Sequence, residues 1–183
     1  MTRPDHSAFA HACEERVQGA HFVPARAPEA GNEAHAVVRL VLPYPISSNR
    51  YWRPVRIGNH ITIVPTKEAK AYRSEVSTLA TRAMVTPMAG RLAMTLRLFP
   101  DRPLDWAKRA RKDPDTWADS VRCIDLGNCE KVLSDALNGI AWQDDKQLHS
   151  IALVRCEPDD RGARVEVEIA PLVVERVAPE LFA

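Results

Sequence analysis

A carboxylate, an amide and a lysine stand within seven residues at Asp125, Asn128 and Lys131, and a second acidic pair follows at Asp144 and Asp145. Oxygen donors of this kind suit magnesium, which keeps several waters and needs only two or three carboxylates to place it. An ion held there would activate a water and polarise a phosphate. Lys131 would offset charge developing on that phosphate. An ordinary reading stands beside this one. Acidic residues at a helix start favour the helix dipole, and Asp144-Asp145-Lys146 is common turn chemistry. Spacing alone leaves both open.

A second group is cationic and aromatic. Arg50, Arg53 and Arg56 accompany Tyr51 and Trp52 in a stretch, Ala34 to Thr66, that holds no Asp or Glu. Guanidinium groups pair with phosphate, aromatic faces stack on unpaired bases, and Asn49 can bond backbone or base. The alternative is a solvated turn with Tyr51 and Trp52 in the core. A third run, Lys108-Arg109-Ala110-Arg111-Lys112, is ringed by Asp101, Asp105, Asp113, Asp115 and Asp119, so it either meets phosphate or pairs with itself. His149 reads as a structural strand residue, and His60 flanks a turn nearer the arginines. There is no Ser-His-Asp or Cys-His arrangement and no glycine-rich phosphate loop. Cys13, Cys123, Cys129 and Cys156 form no CxxC pair and read as reduced, mostly buried thiols.

These residues need elements to position them. Residues 36–42 read as a buried strand ending at Pro43-Tyr44-Pro45. Residues 55–57 and 60–64 flank Gly58-Asn59, a two-residue hairpin signal. Thr66 can cap a helix whose apolar stripe is Ala69, Tyr72, Val76, Leu79, Ala80 and Ala83. Leu92, Met94, Leu96 and Leu98 alternate as in a half-buried strand. Residues 101–121 read as a long inserted loop, and Ile124 closes a short extended piece. A helix is expected over 128–138, with Gly139 as its stop, then strands over 148–155 and 163–169. If the extended piece and the strand after Asp145 are neighbours, both acidic sites fall at one sheet edge. The expected fold is α+β: a mixed or antiparallel sheet with two helices on one face.

At 183 residues and 45% hydrophobic content, the chain suits one domain with appendages. We assign residues 1–34 to a flexible extension, 35–170 to the domain and 171–183 to a tail. The net charge of +1 makes no global case for nucleic acid or membrane, but the uneven spread allows a basic face beside an acidic site. No run of roughly 18 apolar residues and no secretion signal are seen, so the cytoplasm is expected.

Taken together, the chain resembles the RusA family of Holliday junction resolvases, small endonucleases common in prophages, from about Val37 to Ile169. The likeness lies in Leu42-Pro43-Tyr44-Pro45 leading to Ser48-Asn49-Arg50-Tyr51-Trp52-Arg53, and in Ala71-Tyr72-Arg73. Above all it lies in the family pattern Asp-Leu-Asp-Asn-x-x-Lys. Here that pattern stands as Asp125-Leu126-Gly127-Asn128-Cys129-Glu130-Lys131, followed by Asp135-Ala136-Leu137 and Asp144-Asp145.

The resemblance implies a homodimer that binds four-way junction DNA and cuts it by magnesium-dependent hydrolysis, with manganese as a substitute. It implies Asp125, Lys131 and Asp145 as catalytic residues and Asp125 and Asp145 as metal ligands, with Asp144 beside Asp145; Asp144 and Glu130 are the further candidate ligands. Asn49, Arg50, Arg53, Arg56, Lys108, Arg109 and Arg111 are the expected DNA contacts. One family ligand falls on Gly127, which has no side-chain oxygen. Either Glu130 replaces it, which requires a non-helical start to that segment, or Asp144 completes the site, or the protein binds junctions and cuts poorly. A general single-strand or flap nuclease is a further alternative.

Overall fold

The computed structural model describes residues 37–172. The extension assigned to residues 1–34 lies outside the described residues, as does the tail assigned to 171–183 from residue 173 on; its first residue, Pro171, ends a strand.

Four strands form the main sheet: β1 (Val38–Pro43), β4 (Leu92–Phe99), β5 (Leu148–Arg155) and β6 (Arg164–Pro171), in the order β1-β6-β4-β5. β6 is antiparallel to β1 and β4, and β4 is parallel to β5. The alternation of β4 and β6 explains the layering. Leu92, Met94, Leu96 and Leu98, with Val165, Val167 and Ile169, are buried on one face, while Glu166 and Glu168 take the other. Two long helices pack on the buried face, α1 (Lys67–Arg82) and α3 (Leu126–Leu137). Thr66 caps α1 by accepting from the Ala69 N–H, and α1 buries Ala69, Tyr72, Val76 and Ala80. The fold is α+β, as expected.

Four local expectations differ. The hairpin is present, but β2 (Trp52–Ile57) and β3 (His60–Pro65) make a separate two-stranded sheet instead of joining the main one. Gly58 takes φ 59° while Asn59 keeps negative φ, the signature of a type II′ turn that matches strand twist. The 101–121 segment is not an open loop. It holds α2 (Trp106–Lys112) and a 3-10 turn at Trp117–Ser120.

That insertion is fastened. The Trp106 and Trp117 rings meet at 6.2 Å, and the Arg155 guanidinium donates to the Val121 carbonyl at 2.7 Å. Residues 122–124 are not a strand. The Ile124 N–H is satisfied instead by the Tyr44 hydroxyl at 2.9 Å. α3 then begins at Leu126, two residues earlier than its apolar pattern suggests, because Asp125 sits in extended backbone as its N-cap residue. Its far end meets Gly139 at φ 78°, a left-handed stop that glycine takes readily.

Candidate active site

α3 carries a polar stripe on an otherwise buried helix. Asp125, Asn128, Lys131 and Asp135 are spaced three, three and four residues apart, so they line one side of it. Cys129, Val132, Leu133, Ala136 and Leu137 anchor the opposite side in the core. Asp125 and Asp135 are ten residues apart, about 15 Å along a helix axis.

At the N-terminal end, the Asn128 side-chain amide donates to Asp125 Oδ2 at 3.0 Å. The Ser48 hydroxyl donates in turn to Asn128 Oδ1. Asn128 therefore orients the carboxylate and ties it to the 3-10 turn Ser48–Arg50, which opens the hairpin. Tyr44 holds the chain just upstream. It donates to Cys123 Sγ at 3.4 Å while accepting from Ile124. Burial, followed by the Cys123 contact, pushes its phenol up to about 12. A cleft of about 500 Å³ opens here between Tyr44, Cys123 and Ile124 on one side and Arg109 and Ser120 of the insertion on the other.

The C-terminal end gathers charge around Asp135. Burial raises its pKa first and the field of Asp145 next. Glu130 adds to the rise, and Arg73 and Lys131 oppose it. Asp145 is fixed by the fully buried Trp142, whose indole N–H donates to Asp145 Oδ1 at 2.8 Å. Tyr51 lies against the same group. Its hydroxyl is buried without a well-formed hydrogen bond, and burial raises its pKa against the pull of Arg73. Asp135 and Arg73 belong to this site; the sequence offered them as part of the family likeness and not as site residues. The signal was available, since Asp135 continues the Asp125-Asn128-Lys131 stripe by one more turn.

The other expected residues are placed as follows. Asp144 caps the 3-10 turn Asp145–Gln147, accepting from the Lys146 N–H in a reciprocal box with Gln147. Glu130 accepts from the Ser134 hydroxyl at 2.7 Å, toward the C-terminal half of α3. The helix starts directly after Asp125, so the non-helical start that Glu130 would need beside Asp125 is not there. Among the described residues, no group of three or more His, Cys, Asp or Glu side chains is arranged to hold a metal ion.

Of the expected DNA contacts, Asn49 lies in the 3-10 turn, and Arg53 and Arg56 are exposed on the hairpin. Arg50 pairs with Glu68 at 2.9 Å in the open, a contact that solvent leaves weak. Lys108 and Arg111 are exposed on α2, whereas Arg109 is held by Asp105 at 2.9 Å and by Ser120. Cys123, Cys129 and Cys156 form no disulfide among the described residues. No described helix is long and apolar enough to cross a membrane.

A mixed sheet backed by two helices carries a carboxylate-amide-lysine stripe rooted beside an arginine-bearing hairpin. Comparison with known proteins gives that arrangement its family. The family described as Endodeoxyribonuclease RusA matches residues 43–170. The crossover junction endodeoxyribonuclease RusA of Shigella sonnei (strain Ss046) is 31% identical over 139 residues, covering 73% of this chain and 93% of the relative. Its counterpart from Escherichia coli (strain K12) is 30% identical over the same shares. The chain belongs to the RusA endodeoxyribonuclease family.

Proposed function

We propose that the protein is a structure-selective endodeoxyribonuclease that resolves four-way DNA junctions by magnesium-dependent hydrolysis, acting as a homodimer in the cytoplasm during recombination and repair. The stripe on α3 carries the reading. Asn128 holds Asp125 in a fixed orientation, and Lys131 stands one turn further along with its ammonium exposed. Asp125 would present oxygen toward a metal at the N-terminal end of α3, where Asn128 orients it, while Asp145 stands with Asp135 toward the other end. One carboxylate is enough for magnesium recruited together with a DNA phosphate, because that ion is often held by one or two carboxylates plus water and phosphate. When bound, the ion supplies polarisation of the phosphate and a water of lowered pKa. Lys131 places positive charge near the oxygens on which negative charge develops. Arg50, Arg53 and Arg56 hold the DNA backbone.

The test is cleavage of a synthetic four-way junction across a magnesium and manganese titration. Symmetric nicks that vanish in Asp125→Asn and Lys131→Ala support the reading. A wild-type protein that cuts at no metal concentration overturns it.

The lack of a three-ligand cluster among the described residues favours a second reading, a junction-binding protein with weak or no cleavage. It predicts tight, salt-sensitive junction binding without nicking.

A further inference from the structure

The β2–β3 hairpin keeps an apolar face in solvent. Its register places Trp52 opposite Pro65, Pro54 opposite Ile63, and Arg56 opposite Ile61 on one side. Ile61 is 75% exposed, Ile63 67% and Trp52 46%. A lone two-stranded hairpin with such a face is marginal in water, so the face suits a partner.

We propose that this hairpin is a wedge that enters DNA where base stacking is broken, seating its apolar face on exposed base faces. The inference rests on the junction reading above and names the part of the DNA that the hairpin takes. Size argues against a second copy of the chain as the occupant. Two six-residue strands cover about 20 Å by 10 Å, roughly 200 Å², against the ~800 Å² per partner of a stable protein interface.

Charge points the same way. Arg56 lies at the edge of the face, opposite Ile61, Arg53 is exposed on the other side of the same strand, and no acid occurs between Ala34 and Thr66, which complements phosphate. Isoleucines gain nothing from phosphate. The large apolar surfaces of DNA are its base faces, and these are open where strands exchange and stacking is interrupted. Apolar side chains inserted at base steps work in this way, and an aromatic ring adds stacking.

The wedge is also joined to the site. Tyr51 is buried at its root with its ring 5.1 Å from that of Trp52. The Thr66 N–H donates to the Tyr51 carbonyl at 2.9 Å and closes the base of the hairpin. Ser48, just before it, reaches Asp125 through Asn128. A base held by the hairpin therefore sets where the neighbouring backbone meets Asp125.

The experiment uses full-length protein and a synthetic junction with 2-aminopurine at the crossover. Wild type should raise the probe's fluorescence on binding and prefer the junction to duplex. Ile61→Thr/Ile63→Thr keeps β-branched side chains at exposed positions. It should lose most of the fluorescence rise and about tenfold or more of the junction preference, with duplex affinity and sedimentation unchanged. Ile61→Phe/Ile63→Phe keeps the apolar surface and should retain both signals. A threonine variant that keeps the fluorescence rise and the preference overturns the wedge alone. So does one whose sedimentation shifts, since the face would then join copies of the chain. A wild type that binds junction no better than duplex removes the junction reading, and the wedge with it.

Discussion

Gly127 occupies the second position of α3, and a Cβ placed there meets nothing within 4 Å. Alanine there should raise stability by about 0.5–1 kcal/mol, because glycine loses the most conformational freedom on entering a helix. Aspartate adds a carboxylate near the helix N-terminus, where the dipole favours it by about 0.3–1 kcal/mol. The two substitutions separate structure from chemistry. Gly127→Asp should increase magnesium-dependent junction cleavage, and Gly127→Ala should raise the melting temperature without that increase. Equal cleavage by both would remove Gly127 as the limiting residue. Asp135 gives a second expectation. Its carboxyl is pushed up chiefly by burial and then by Asp145, so at neutral pH its charge opposes folding. That opposition is absent below the unfolded pKa and grows as pH rises through the folded one. Asp135→Asn should therefore be more stable than wild type at pH 7 in thermal melts, with the gap closing in acid. Cys129, raised to about 12 by burial, should resist thiol reagents in the folded protein.

The elements show what local sequence could and could not reveal. The Gly58-Asn59 hairpin, the Thr66 cap and the inward face of β6 depend on neighbours a few residues away, and all were readable. Which strands join which sheet was not readable, because pairing over a hundred residues, such as Val38 with Ile169, leaves no local mark. The insertion misled for a related reason: α2 is short, its Trp106 ring meets Trp117 beyond its end, and the segment after it is tied down by Arg155 from β5. Trp52 beside Tyr51 was ambiguous because adjacent strand residues face opposite ways, and only the fold decides which is buried. In the candidate site, the Asp125-Asn128-Lys131 spacing was legible. Arg73 was not, since it reaches Asp135 from another helix. Arg164, at the start of β6, is the charged residue that is buried among the described residues. Its side chain is 7% exposed, bonds Asp159 and Glu166, and lies 3.8 Å over the Phe99 ring. Arg164→Met should cost about 2 kcal/mol, less than a fully buried pair because both carboxylates reach solvent. Asp159 is held below its usual range chiefly by Arg164, so its share of stability is present above the unfolded pKa and lost as pH falls through the folded one. The variant's acid denaturation should be correspondingly shallower.

At the scale of the whole molecule, a net charge of +1 conceals a sorted distribution. The hairpin and its root carry Arg50, Arg53 and Arg56, whereas α3 and the segment after it carry Asp125, Glu130, Asp135, Asp144 and Asp145. Two opposed regions in contact would steer a polyanion so that its backbone lies on the arginines and only a narrow stretch reaches the carboxylates. Net charge cannot reveal this, but salt can, because each phosphate neutralised by a cation releases counterions. Binding affinity should fall log-linearly with salt, by about 0.9 in slope per neutralised phosphate. Arg53 and Arg56 are exposed, and the carboxylate pairings found among these arginines belong to Arg50, through Glu68. Arg53→Gln/Arg56→Gln should therefore lower the slope by about 2 for junction and duplex alike. Asp125→Asn should leave the slope nearly unchanged while abolishing cleavage. Fluorescence anisotropy over a salt series in the absence of divalent metal measures both. If the double substitution leaves the slope intact, the hairpin does not carry the phosphate contacts, and the cations of α2, Lys108 and Arg111, become the surface to test.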